Sequence, residues 1–247
     1  MPVPNSEQAL PPIPYLDRFE ARTHANDAGE QLRYRWLAPP RPRPRRRYPL
    51  VIFLHGMGER GDDNQSQLRN GVAEWLASDA ARAEYPAFYL VPQCPPEEYW
   101  AGPSAGLSRP AALVMQTLRA LRRTCPVDPA RVYLGGLSMG GFGVWRLLSR
   151  YPRTFAAAVM ICGGGNPARA RSLARIPLWL FHGAEDDTVS PEQSRAMVAA
   201  LQRAGGNVRY TEYPGVGHAS WFPAFQEPEL LPWLFAQRRP TRRPETL

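Results

Sequence analysis

The chain contains no lysine: all 30 of its Lys+Arg residues are arginine. Set against 22 carboxylates, they leave a formal charge of +8, which by itself would point to a polyanion such as nucleic acid or an anionic membrane. No recognition motif accompanies the charge, and the chain is also rich in Ala and Pro. The arginine content therefore reads as compositional bias, and no nucleic-acid partner is expected. Cysteine is scarce. Cys94, Cys125 and Cys162 are odd in number and lack C-x-x-C spacing, which argues against a disulfide framework and against a zinc site. Long apolar runs are missing too: none approaches the roughly eighteen residues of a membrane span. From Met1 to Pro14, prolines fall where a signal peptide would need an unbroken apolar stretch. A soluble, cytoplasmic protein is expected, or a secreted one if a leader has been removed.

What is present suits one catalytic domain, since 247 residues with 44% hydrophobic content suffice for a well-buried core. Residues 1–27 form a Pro-rich lead-in, 28–238 the domain, and 239–247 a charged tail. Strands are predicted at Gln31–Leu37, Leu50–Leu54, Ala87–Val91, Arg131–Gly135, Ala156–Ile161, Leu178–His182 and Val208–Tyr213. Helices are predicted around Gly71–Ala83, Ala111–Arg123, Gly140–Arg150, Pro191–Ala204 and Glu229–Gln237. Strands alternating with helices imply an α/β fold with a mainly parallel sheet covered on both faces, its ligand site beyond the carboxyl ends of the strands. The Arg/Pro segment 39–49 reads as a solvated connection.

Within that rhythm, Gly136-Leu137-Ser138-Met139-Gly140 forms a G-x-S-x-G directly after an apolar strand and directly before a helix. A serine on so sharp a turn needs small residues two positions to either side, and the turn lifts its hydroxyl clear of the sheet. Ser138 is the candidate nucleophile. A serine needs a base, and in this arrangement the order along the chain is serine, acid, histidine. Of four histidines only His218 lies downstream of a plausible acid. The acid belongs after the strand at 178–182, where Glu185, Asp186 and Asp187 stand in a row; physical reasoning leaves all three open. An oxyanion hole would take one backbone N–H from Met139 and another from the loop after LVIFL, at Met57. His55 is read as structural. Neither a Walker-type nor a dinucleotide-binding glycine pattern is present.

These motifs, with LHGMGERGDDN from Leu54, PQCPPEEYW from Pro92, ICGGGN from Ile161, FHGAEDDTVSPEQS from Phe181 and YTEYPGVGHASW from Tyr210, resemble the α/β-hydrolase superfamily. The similarity is to the bacterial predicted peptidases and the neighbouring phospholipase/carboxylesterase and dienelactone-hydrolase-like families, over about residues 30–238. The resemblance implies the pattern H-G-x-x-D-x-x-V, which selects Asp186 as the acid. The chain departs from the family pattern at Ser190, where proline is common, and at Ala219, where an acidic residue is common. Its elbow carries serine rather than the cysteine of dienelactone hydrolases proper.

The implied activity is hydrolysis of carboxylic esters through an acyl-enzyme, with Ser138, Asp186 and His218 as triad. Peptidase activity is second, because the chain leaves little room for the domain by which oligopeptidases of this fold restrict access. A non-catalytic binding protein on a hydrolase scaffold is the alternative of another class; the complete triad argues against it. Tyr99, Trp100, Trp221 and Phe222, placed on loops, either form an aromatic substrate pocket or belong to the core. The partner expected is a small-molecule ester. No metal or organic cofactor is implied, since serine, imidazole and carboxylate suffice.

Overall fold

A computed structural model describes residues 11–102 and 106–240. The first ten residues of the lead-in and the tail from residue 241 lie outside the described residues. Eight strands form one sheet: β1 (Glu20–Ala25), β2 (Gln31–Leu37), β3 (Tyr48–Leu54), β4 (Phe88–Pro92), β5 (Val127–Leu137), β6 (Ala157–Ile161), β7 (Leu178–Gly183) and β8 (Val208–Tyr213). Their spatial order is β1-β2-β4-β3-β5-β6-β7-β8. The β1–β2 and β2–β4 pairings are antiparallel and every later one is parallel. The helices are α1 (Val72–Ala77), α2 (Asp79–Glu84), α3 (Arg109–Thr124), α4 (Met139–Arg150), α5 (Ala170–Leu173), α6 (Glu192–Arg203), α7 (Trp221–Gln226) and α8 (Leu230–Ala236).

The central strands are apolar because both their faces are covered. All seven residues of β3 are buried, and alternate side chains serve two separate cores: Leu50, Ile52 and Leu54 face one, Val51 and Phe53 the other. The α3 and α4 helices close the first core, while α1 and α8 close the second. β3 begins at Tyr48 and so runs through Pro49, although proline has no N–H for a central ladder. The ladder accommodates it: the register with β5 shifts between Tyr48 and Leu50.

The lead-in and the first helix differ from the sequence reading, and α5 and α7 are helices it did not predict. The lead-in contains β1, whose antiparallel pairing with β2 covers that strand's outer edge. Its exposed, polar composition hides the strand from a search for buried apolar runs. The helix expected over 71–83 is two helices, broken where Ser78 turns extended (ψ 151°) and its side chain accepts from the Ala81 N–H to cap α2. The solvated connection 39–47 is largely exposed, with Arg41 and Arg45 at positive φ. No described helix is long and apolar enough to cross a membrane.

One buried polar residue joins core to site. His55, wholly buried at the end of β3, donates from Nδ1 to the Gly56 carbonyl (2.6 Å) and accepts at Nε2 from the Cys94 N–H (2.9 Å). Its own carbonyl accepts from Trp100 Nε1 at 3.1 Å. This ring bolts the loop after β3 to the loop after β4. Burial lowers its pKa from 6.5 to about 4.

A Cβ on Gly140 would stand 2.0 Å from the Leu54 carbonyl oxygen, a backbone atom that cannot swing aside. Gly140→Ala should therefore cost at least about 2 kcal/mol and lower the Tm by roughly 4 °C or more; an unchanged thermal unfolding curve would refute the clash. For His55, the unfolded chain takes up a proton near pH 6.5 and the folded chain only near pH 4, so stability should fall as pH drops through that window. The wild type should lose about 3 kcal/mol between pH 7 and pH 4 that His55→Gln does not lose, as measured by urea unfolding. Equal losses in the two proteins would overturn this account.

Candidate active site

Ser138 sits between β5 and α4 at φ 52°, ψ −119°, a conformation that side-chain-bearing residues rarely adopt. Its N–H donates to the Ile161 carbonyl of β6 (2.9 Å), which anchors the strained residue to the neighbouring strand. The glycines of the motif answer close approaches of backbone: a Cβ on Gly136 would lie 2.6 Å from the Gly140 oxygen, and Gly140 abuts Leu54. The hydroxyl is thus held at the carboxyl edge of the sheet.

His218 comes from the loop after β8. Its Nε2 lies 2.9 Å from Ser138 Oγ and its Nδ1 2.8 Å from Asp186 Oδ2. The acid loop and the histidine loop touch through their backbones. A Cβ on Gly183 would come within 2.2 Å of the Val216 and Gly217 oxygens, and the Glu185 N–H donates to Val216 O at 3.0 Å. Of the three adjacent carboxylates, the one in contact with His218 is Asp186, which is buried, whereas Asp187 is exposed.

Asp186 is surrounded by donors. Oδ1 accepts from the N–H groups of Thr188 (3.0 Å) and Val189 (2.8 Å), and Oδ2 lies 3.1 Å from His182 Nε2 as well as against His218. Burial alone would raise its pKa, but the His218 hydrogen bond and the two amides outweigh burial and hold it below the ordinary value. It stays ionised throughout the neutral range. His182, wholly buried, also contacts Val189 O (2.8 Å) and Ser194 Oγ (2.7 Å). The donor atoms of Cys162, Asp186 and His218 lie within 4.8 Å of one another. Burial pushes the Cys162 thiol up to about 12, so it is uncharged in the neutral range.

The candidate oxyanion donors occupy suitable elements. Met139 opens α4 and its N–H is one of the first-turn donors without an intrahelical acceptor. Met57 opens a 3-10 turn after Gly56, whose added Cβ would stand 3.6 Å from Ser138 Cβ. Among the described residues neither N–H has a protein acceptor.

A cavity of about 590 Å³ opens over Ser138, with Met57, Tyr99, Phe142, Val189 and Trp221 among its walls. The four aromatic candidates separate here. Tyr99 and Trp221 line the cavity. Trp100 does not: it is wholly buried, its indole N–H on the His55 carbonyl, and it belongs to the core. Phe222 is half exposed and faces a neighbouring groove beside α1 and α2. Trp221 and Phe222 lie on α7, not on a loop, so adjacent residues point to different sides.

Sequence reasoning overlooked three residues. His182 was set aside by chain order, yet it contacts the acid. Glu59 is buried in the loop after β3, with Oε1 accepting from Asn70 Nδ2 (2.7 Å) and Oε2 lacking a partner. Burial raises the Glu59 pKa. Both Glu59 and Asn70 lie on the cavity wall. The G-E-R-G-D-D-N run carries Glu59, but nothing in its composition signals a buried carboxyl, because burial comes from elements distant in sequence.

Comparison with known proteins agrees with this architecture. Residues 42–228 match the phospholipase/carboxylesterase family model. A probable carboxylesterase, SOBER1-like, of Arabidopsis thaliana is 23% identical over 198 residues, covering 69% of this chain and 72% of that protein. Among solved structures, a thermostable esterase superposes with TM-score 0.87 at 39% identity, covering 91% of this chain and 64% of that one. A ferulic acid esterase shares the fold at TM-score 0.68 and 17% identity, covering 88% of this chain and 97% of that one. The chain belongs to the phospholipase/carboxylesterase family of the α/β-hydrolase superfamily.

Proposed function

We propose that this protein is a serine hydrolase that cleaves carboxylic esters through an acyl-enzyme, with Ser138 as nucleophile, His218 as general base and acid, and Asp186 as the residue that orients His218. That it is a hydrolase acting on esters accords with its family. The observation that carries the finer reading is the continuous relay from Ser138 Oγ through His218 to Asp186, at 2.9 and 2.8 Å.

The chemistry follows from that geometry. His218 Nε2 takes the proton of Ser138 Oγ as the oxygen attacks the ester carbonyl. Asp186, ionised and held by its amide donors, keeps the imidazole proton on Nδ1 so that Nε2 is free to accept. The negative charge developing on the carbonyl oxygen is met by the N–H groups of Met57 and Met139. His218 then returns its proton to the departing alcohol. Water enters, is deprotonated by His218 and releases the carboxylic acid. The volume of the cavity is in the range of small-molecule sites, and its mostly apolar walls suit an acyl or aryl group.

Two experiments test this reading. Initial rates on p-nitrophenyl esters from acetate to palmitate should be highest for short and medium acyl chains and fall by about 10³-fold or more in Ser138→Ala. Anilide cleavage exceeding ester cleavage would favour a peptidase instead, and turnover independent of Ser138 would sink the mechanism. Asp186→Asn should lower kcat by about 10³–10⁴-fold, while Asp187→Asn should stay within a few-fold of wild type; the reverse ranking would assign the acid to Asp187.

A further inference from the structure

Beside the cavity over Ser138 lies a second recess of about 500 Å³, and Ala101 and Phe142 belong to the walls of both. Its floor is a face of α4. Phe142, Arg146 and Arg150 recur every four residues, with Trp145 and Ser149 between them, so the stripe leads away from the nucleophile along one side of the helix. The facing wall is Gly164-Gly165-Asn166, the end of the ICGGGN motif, which the hydrolytic reading leaves unused, together with Arg169. Gly165 is required there: a Cβ on it would fall 2.2 Å from Trp145 Cγ and Cδ1.

Three features set this recess apart from an ordinary solvated face. Among the described residues, three arginines line it and no carboxylate does. Arg18, Arg22, Arg109, Arg131, Arg195 and Arg209 each pair with an Asp or Glu. Among the described residues, no carboxylate pairs with Arg150 or Arg169; Arg150 only overlies the Tyr151 ring at 5.4 Å. Two wall residues also carry buried donors with no partner, Trp145 Nε1 and Ser149 Oγ, and Trp145 is only 4% exposed. Leaving a buried donor unsatisfied is costly, so such donors beside the Arg150 and Arg169 guanidinium groups call for an acceptor.

We infer that this recess is a subsite for an oxyanion, carboxylate or phosphate, carried by the ester substrate at a distance from the scissile bond; the inference rests on the ester hydrolysis proposed above. Guanidinium forks match either oxyanion in bidentate geometry. Arg146 and Arg150 lie eight and twelve residues along α4 from Ser138, or about 12 and 18 Å of helix axis. A substrate chain of roughly ten atoms spans about 12 Å, and the extended Arg150 side chain covers the remainder of its distance. The enzyme then prefers long, singly charged esters over their neutral counterparts.

The test compares kcat/KM within two matched pairs, all below micellar concentrations: mono-p-nitrophenyl azelate against p-nitrophenyl nonanoate, and 8-acetoxyoctanoate against octyl acetate. The wild type should favour the anionic member of at least one pair by tenfold or more. Arg150→Ala/Arg169→Ala should bring that preference to parity, and Arg169→Glu should invert it. Turnover of p-nitrophenyl acetate should remain within twofold of wild type in each variant, which also reports that they fold. Preferences equal in wild type and variants would overturn the subsite. Calorimetric binding of azelate and of inorganic phosphate to Ser138→Ala separates this outcome from failure of the esterase reading. Binding that is lost on adding the double arginine substitution supports the subsite even if no ester is turned over, and binding unaffected by it refutes the subsite.

Discussion

At Ser138 the chain must leave β5 at positive φ and enter α4 at once, with its N–H spent on Ile161 of the next strand. No side chain fits two residues to either side, because Gly136 and Gly140 face each other and Gly140 faces the Leu54 carbonyl of β3. The strain in one residue is thereby held by three strands and a helix. It also fixes where everything else must arrive: the loop after β3 passes over the serine, α4 begins beneath it, and the loops after β7 and β8 must reach the same edge of the sheet.

Two of the three histidines excluded as bases do matching work at the ends of two strands. His55 just after β3 and His182 near the end of β7 are both wholly buried, and each uses both ring nitrogens to tie its own segment to a neighbour. Each is followed by a glycine pressed closely against its surroundings: Gly56 against Leu137 and Glu59, Gly183 against the backbone at Val216 and Gly217. One bracket sets the candidate oxyanion loop and the other sets Asp186. Rigidity of this kind is what a site for charge developing in a transition state requires, because its dipoles must be in place before the charge appears.

Electrostatics divide along the same geometry. Asp186 is kept ionised by donors converging on it, while Glu59, buried nearby with a single side-chain donor, is pushed toward its neutral form. Two carboxyls on one cavity thus differ because of what surrounds them, not because of their chemical type. Among the arginines, Arg18 and Arg195 are paired with carboxylates on the surface, whereas no carboxylate pairs with Arg150 or Arg169 beside α4 among the described residues.

The alternation of strands and helices, the elbow at Ser138 and His218 as candidate base were legible from local patterns alone: apolar runs, glycines at fixed offsets and order along the chain. The sequence left Glu185, Asp186 and Asp187 equivalent until family resemblance chose among them, since adjacent carboxylates differ only in what they face after folding. It missed β1, a polar edge strand with little apolar signal, and it treated four aromatic residues as a group. Only the tertiary structure separated Trp100, buried beneath His55, from Tyr99 and Trp221 on the cavity wall, and turned Phe222 to the other side of α7. Burial and contact across loops arise from segments dozens of residues apart: Asp186 and His218 are 32 positions apart, and Ser138 and His218 are 80. No local pattern encodes the distance that brings them into hydrogen-bond contact.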